Sequence, residues 1–236
     1  PHNPVGRCWT REELERVYGL LADDHSRKVL RDVVEYKLTG DIKLLRGCES
    51  EPREAWENIL RPGKEEHYMD LGAYTGDTIA EFIRYAGAWR RITALEPDPV
   101  TFAKLERNTA GLHDCILYRL GVYSRYARLP FAGGAGRGSH LAAGGAMTEL
   151  DSVDNILCGQ TVSLINMDVE GMEAEAIAGM AKTLRRHRPK LLIAGYHRSE
   201  DLWRLPLEVL AIQPEYKVYV RHYPCLPAWD VNFYFV

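Results

Sequence analysis

The sequence predicts a doubly wound α/β fold, and three short apolar runs carry that prediction. One ends in Asp70, a second in Glu96, and a third in Asp168 and Glu170. Each is followed by a turn and then by residues at helical spacing, the pattern of a buried parallel strand handing over to a helix. In such a sheet ligands bind outside the carboxyl ends of the strands, where all four acids fall.

Taken in order, the chain opens with helices. Thr10-Arg-Glu-Glu13 fits a capping box, and Leu14, Val17, Leu20 and Leu21 follow as an apolar stripe. A second stripe, Val29, Leu30, Val33 and Val34, comes after Ser26. Both need something to cover them: an edge of the sheet, a second copy of the chain, or a substrate pocket over which they form a lid. Residues 1–64 are accordingly read as a helical extension and residues 65–236 as the main domain.

The first strand opens into Gly72-Ala-Tyr-Thr-Gly76, and a helical pattern follows from Asp77 to Tyr85. Glycine lets a backbone approach a ligand that a Cβ would exclude, and a helix N-terminus offers unpaired N–H groups. A dinucleotide fingerprint reads G-x-G-x-x-G, whereas this turn reads D-x-G-x-x-x-G with no glycine two residues after Gly72. That spacing disfavours the pyrophosphate of NAD or FAD. Asp70 points the same way, because a carboxylate repels a diphosphate but attracts the ammonium of a methionine-like tail. The second strand, from Arg91, places Glu96 where an acid accepts both ribose hydroxyls. Asp70 with Glu96 therefore suits S-adenosylmethionine. Taken alone, Gly72 and Gly76 could equally serve only to pack a helix on a strand. Asp98-Pro99 is explained as the N-cap and first position of a helix from Val100 to Asn108.

Further along, Phe131 to Ala146 is rich in glycine and alanine. It reads as a flexible hairpin tip, or as a loop closing over substrate with Arg137, Ser139 or His140 reaching inward. Leu150-Asp-Ser-Val-Asp-Asn-Ile156 reads as a short helix capped by Asp151. After the third acidic strand, Gly171 starts a helix with Glu173 and Glu175 in its first turn and Lys182, Arg185 and Arg186 in its last. This is the charge order a helix dipole favours. Ile177, Met180, Ala181 and Leu184 form its apolar face. Pro189 to Tyr196 reads as another buried strand, closed by His197. Tyr216, Val218 and Val220, then Val231, Phe233 and Phe235, alternate in period two, so an antiparallel hairpin turning through Pro224-Cys-Leu-Pro-Ala-Trp229 ends the pattern.

Three of these blocks together resemble the FkbM-type methyltransferases: Asp70-Leu-Gly-Ala-Tyr-Thr-Gly76, Ala94-Leu-Glu-Pro97 through Leu105 and Asn108, and Asn166-Met-Asp-Val-Glu-Gly-Met-Glu173. The resemblance spans roughly Tyr68 to Tyr196, with a fainter echo from Tyr216 to Tyr223. It departs from the family pattern at Asn166, where a lysine or similar residue is usual, and around Leu129 and Pro130, where no motif aligns. The resemblance implies a class I methyltransferase, a Rossmann-like doubly wound sheet of seven strands whose last pair is antiparallel. It also implies S-adenosylmethionine held by Asp70, Gly72, Ala73, Tyr74, Gly76, Asp77, Thr78, Glu96, Pro97 and Asp168.

Methyl transfer is an in-line displacement, so the protein must chiefly align two reactants and exclude water. If the acceptor is a hydroxyl of a small molecule or glycan, a base must take its proton. Glu170, His197 and His222 stand at strand ends and are the catalytic candidates, with Asp168 left to the cofactor. Asp168 and Glu170 are also spaced to share one strand face and would suit magnesium, but the sequence shows no third ligand and no metal is assigned. Two other classes stay open, an NAD-dependent oxidoreductase and a catalytically silent cofactor-binding module.

Composition narrows the partners. With 33 acidic against 30 basic residues the chain carries no basic block of the kind that tracks a phosphate backbone, which argues against a nucleic-acid substrate. Arg185-Arg186-His187-Arg188 reads as the solvated end of a helix. Five scattered cysteines without a C-x-x-C pair suggest neither a zinc site nor a disulfide framework. No apolar run approaches the ~18 residues of a membrane span, and no signal-peptide pattern is read, so the cytoplasm is the expected location. The expected partner is a small-molecule or glycan acceptor, with a homodimer as one way to cover the N-terminal stripes.

Overall fold

A computed structural model describes residues 11–132, 140–141, 146–226 and 228–236. Thr10, Arg137, Ser139 and the side chain of His140 lie outside the described residues. The chain begins with α1 (Arg11–Leu20), α2 (Asp24–Thr39), α3 (Ile42–Gly47) and α4 (Pro52–Glu54), which runs into a π-helical turn (Ala55–Leu60). Then come β1 (His67–Leu71), α5 (Asp77–Ala86), β2 (Arg91–Leu95), α6 (Pro99–Thr109), β3 (Cys115–Tyr118), β4 (Gly121–Val122), β5 (Ala127–Ala132), β6 (His140–Leu141) and β7 (Ala146–Asp151). The rest is α7 (Val153–Leu157), β8 (Leu164–Met167), α8 (Glu173–Gly179), α9 (Ala181–His187), β9 (Lys190–Ala194), α10 (Asp201–Ile212), β10 (Val218–His222) and β11 (Val231–Phe235).

Seven strands form one sheet in the order β10-β11-β9-β8-β1-β2-β3, and β10 and β11 are antiparallel, as expected. β1 runs parallel to both β2 and β8, so the strand order reverses at β1, the switch point at which a doubly wound sheet opens a crevice for ligands. A second sheet, β4-β7-β5-β6, arises from the stretch the sequence left without a motif. No helix among the described residues is long and apolar enough to cross a membrane.

By compactness the chain forms two units. One is Arg61–Leu191 and the other combines Pro1–Leu60 with Leu192–Val236. In the first, Met69, Leu71, Ile92, Ala94, Leu95, Ile165 and Met167 are buried in near-continuous runs, because parallel strands are covered on both faces. The run from Gly171 is two helices rather than the single one its periodicity predicts. The break falls at Met180, where a Cβ on the neighbouring Gly179 would stand 2.1 Å from the Tyr123 carbonyl oxygen. Asp154 then accepts from Lys182 N at 3.0 Å and Thr183 N at 2.8 Å, starting α9 afresh. The cap of α7 is Ser152 rather than Asp151, whose carboxylate accepts from Ser152 N. Asp98 caps α6 as expected, accepting from Val100 N and Thr101 N.

In the second unit the N-terminal helices cover the sheet edge at β10. Ala22 N donates to Val218 O at 2.8 Å and Ser50 N to His222 O at 2.7 Å. Unpaired edge groups are thereby satisfied. Asp23 caps α2, accepting from Ser26 N, and this same carboxylate binds Arg221. Arg221 is 2% exposed; its Nε donates to Glu54 Oε2, its Nη2 to Asp23 Oδ2 and its Nη1 to Ser26 Oγ, each at 2.8 Å. Although burial pulls its pKa down, the bonds from Glu54 and Asp23 win and hold it above its ordinary value. Arg221→Met should therefore destabilise the protein by about 3 kcal/mol, the low end for a broken buried pair, because Asp23 and Glu54 keep partial access to water. Urea unfolding at pH 7 checks this: an unchanged midpoint would show that the packed edge needs no arginine.

Candidate active site

The site is assembled from the carboxyl ends of β1, β2 and β8 within the Arg61–Leu191 unit. β1 delivers Asp70, 0% exposed, whose Oδ2 accepts from Thr78 Oγ1 at 2.5 Å and whose Oδ1 accepts from Asn166 Nδ2 at 2.9 Å. Both oxygens are thus engaged below the surface, and the carboxylate presents no open face to a ligand. Its place is to tie β1 to β8 and to the first turn of α5. Burial drives its pKa up to about 6, against the lowering effect of the Asn166 and Thr78 bonds.

Gly72 and Gly76, expected against the cofactor, both also sit in close packing. At φ +83°, a Cβ on Gly72 would stand 2.0 Å from the Asp168 carbonyl oxygen, so the glycine lets the turn after β1 press on the backbone that leaves β8. At φ +91°, a Cβ on Gly76 would meet Leu105 Cδ1 at 3.2 Å. Asn108 on the same helix donates from Nδ2 to Thr75 O at 2.8 Å. Leu105 and Asn108, noted in the sequence only as part of a motif, clamp the turn from α6.

Glu96 is the strut of the site. Its Oε2 accepts from Tyr74 N at 3.1 Å and its Oε1 from Asp98 N at 2.8 Å, joining the turn after β1 to the turn after β2. Tyr74 takes the left-handed conformation at φ +47°, and the bond to Glu96 holds it there. Each carboxylate oxygen has room for a further donor, so Glu96 can accept two hydroxyls without releasing either turn. Burial raises its pKa to about 7 despite those two backbone bonds. Ala73 is buried, Tyr74, Pro97 and Thr78 are half-buried, and Asp77 is exposed at the start of α5.

At the end of β8, Asp168 and Glu170 are half-buried, with carboxylate oxygens within 4.8 Å of one another. Glu170 is held at φ +53° and Gly171 at φ +89°. The loop keeps this shape through Glu173, 1% exposed, whose Oε1 accepts from Val169 N at 3.2 Å and Gly171 N at 3.3 Å. The sequence presented Glu173 as a dipole charge; its burial at a helix start marks it as the cap of the acidic loop.

The two histidines lie in the other unit. His197 is half-buried in the bend after β9, its ring 4.3 Å from that of Tyr196. His222 is 1% exposed at the end of β10, its carbonyl taken by Ser50 N, and burial lowers its pKa. No surface of His222 is left for an acceptor to touch, because the N-terminal helices seal the edge that the sequence alone left open.

A family model described as the methyltransferase FkbM domain matches residues 70–219. Among solved structures, the methyltransferase FkbM from Methylobacillus flagellatus KT is similar with a TM-score of 0.83 and 26% identity, over 95% of this chain and 58% of that one. The chain thus spans less than two thirds of that relative's length. Aeropyrum pernix fibrillarin, in complex with natively bound S-adenosyl-L-methionine, has a TM-score of 0.50 at 13% identity over 78% of this chain and 71% of its own. An rRNA methylase from Streptococcus thermophilus has a TM-score of 0.50 at 12% identity over 79% of this chain and 96% of its own. These last two likenesses are of fold alone. Among curated proteins none matches the chain.

Proposed function

The chain belongs to the FkbM methyltransferase family, and from that premise we propose that it transfers a methyl group from S-adenosylmethionine to a hydroxyl of a small molecule or glycan. On this proposal the catalytic domain is residues 65–236. The observation that carries the reading is Glu96, a buried carboxylate at a strand end with accepting capacity to spare, set beside the turn 72–76 at the sheet's switch point. When bound, the cofactor supplies an electrophilic methyl on a sulfonium.

The chain's own residues do the rest. Glu96 receives the ribose hydroxyls, and the Ala73-Tyr74-Thr75 backbone, clamped by Glu96 and Asn108, forms the bed beneath them. Asp168 faces the amino-acid end of the cofactor. Glu170 or His197 takes the acceptor proton as the oxygen attacks. Asp70 acts from beneath the turn rather than by contact, and His222 drops out of the catalytic set because it is sealed.

Isothermal titration with S-adenosylhomocysteine tests the cofactor half of this reading. Glu96→Ala should weaken binding by roughly tenfold or more, as loss of a charge-assisted bond costs about 1.5–3 kcal/mol. Because the donors of a ribose favour the ionised carboxylate, affinity in the native chain should also fall as pH drops below about 7, where Glu96 gains a proton. A folded Glu96→Ala protein with native affinity would remove the ribose assignment. Turnover with a panel of hydroxylated acceptors tests the other half, and a response to NAD in place of S-adenosylhomocysteine would overturn the reading as a whole.

A further inference from the structure

Two other buried acids of this chain, Asp32 and Glu66, sit beside cations. Asp32 accepts from Lys28 at 2.5 Å and from Arg31 at 2.9 Å, and Glu66 accepts from Lys190 at 3.0 Å. Asp70 is instead fully buried against neutral donors, the Thr78 hydroxyl and the Asn166 amide, as Glu96 and Glu173 are buried against backbone N–H groups. Among the described residues, the titratable groups that act on it most are Tyr68 on its own strand and Asp77 on α5, with Glu96 on β2 coupled to it, and none of these three is a cation. Asn166 is the register partner of Asp70 across β1 and β8, so the residue at 166 decides which group meets the carboxylate from the β8 side. A lysine at 166 would bring an ammonium to that charge.

Resting on the cofactor reading above, we propose that Asn166 is a specificity-determining positioning residue. By holding Asp70 with a neutral amide it keeps an uncompensated negative charge under the turn 72–76, and so favours the cationic sulfonium substrate over the neutral thioether product. S-adenosylmethionine and S-adenosylhomocysteine differ at sulfur by a methyl and one positive charge, so the ratio of their affinities reports the local field. Contacts to the ribose, adenine and amino-acid tail are common to both ligands and cancel in that ratio. The elevated Asp70 pKa, to about 6, is what an acid without a counter-charge shows, and it leaves the group ionised at pH 7.5. A site of this kind sheds its product more readily than one with lysine at the same position.

The test is competition calorimetry of the two ligands on the full chain at pH 7.5 and pH 5.5, with Asn166→Lys and Asn166→Gln beside the native protein. The native chain should prefer S-adenosylmethionine at pH 7.5. Asn166→Lys, which brings an ammonium to the carboxylate, should cut that preference about tenfold, while the neutral Asn166→Gln should keep it. The native preference should shrink in the same direction at pH 5.5, where Asp70 and, with its pKa of about 7, Glu96 both take up protons; a Glu96→Gln chain, in which Asp70 alone of the two titrates, should still show the shrinkage, and this arm decides the matter even if a variant at 166 fails to fold. A preference unmoved by both pH and Asn166→Lys, with both ligands still bound, overturns this inference and leaves the cofactor reading standing. Failure of the native chain to bind either ligand overturns both.

Discussion

Glu170→Gln should lower turnover by about 10²–10⁴-fold while S-adenosylhomocysteine affinity stays near that of the native chain. The substitution keeps the shape of the side chain and removes its basicity, so it separates proton transfer from binding. Glu170 also has a constrained backbone, one of eight non-glycine positions of positive φ among the described residues. A non-glycine residue at φ +53° carries strain of order 1–3 kcal/mol, and such strain persists where surrounding bonds over-determine it. Here the cap from Glu173 to Val169 N and Gly171 N does so. His197→Asn is the parallel experiment, for the other half-buried group in the proposed set. Binding and turnover measured on the same two variants decide between them, and full turnover in both would leave alignment alone to carry the reaction.

Gly72→Val should cost more than about 4 kcal/mol of stability and leave little folded protein at 37 °C. The added Cβ would stand 2.0 Å from the Asp168 carbonyl oxygen, a backbone atom that cannot swing aside, and φ +83° is itself strained for a β-branched residue. This differs from what the sequence alone leads one to expect, which is a folded protein with its cofactor volume filled. Gly111→Ala is the control, since a Cβ there meets nothing within 4 Å. Thermal unfolding of the two variants should separate them widely; a Gly72→Val protein that melts with the native chain would mean that β8 can retreat from the turn.

Much of the scaffold was legible in local pattern. The apolar runs of β1, β2 and β8, the Asp98 cap and the alternating C-terminal pair are features of a few consecutive residues, and periodicity reports those directly. Other features were not legible because they depend on residues far apart in the chain. The break at Met180 comes from Gly179 meeting Tyr123 and from Asp154 capturing two N–H groups, neither of which leaves a mark in the helical period. The buried Arg221 sits in an alternating strand pattern that names no partner, and Asp23, Ser26 and Glu54 reach it only through the way the N-terminal helices lie on β10.

For the site, the sequence by itself determined which chemistry is present: acids at the ends of three strands, a glycine turn without the dinucleotide spacing, and an asparagine at 166. Only the tertiary structure decided how those groups are used. The register of β1 against β8 sets Asp70 opposite Asn166 and Gly72 against Asp168, which makes Asp70 a buried joint and packs the Gly72 turn on backbone. Glu96, with its oxygens shared between two turns, keeps accepting capacity for a ligand, whereas His222 loses all access under the helices laid on its edge. Residue type fixes what a side chain can donate or accept, but burial and register fix what it meets, and these arise from contacts between segments that the sequence holds roughly a hundred positions apart.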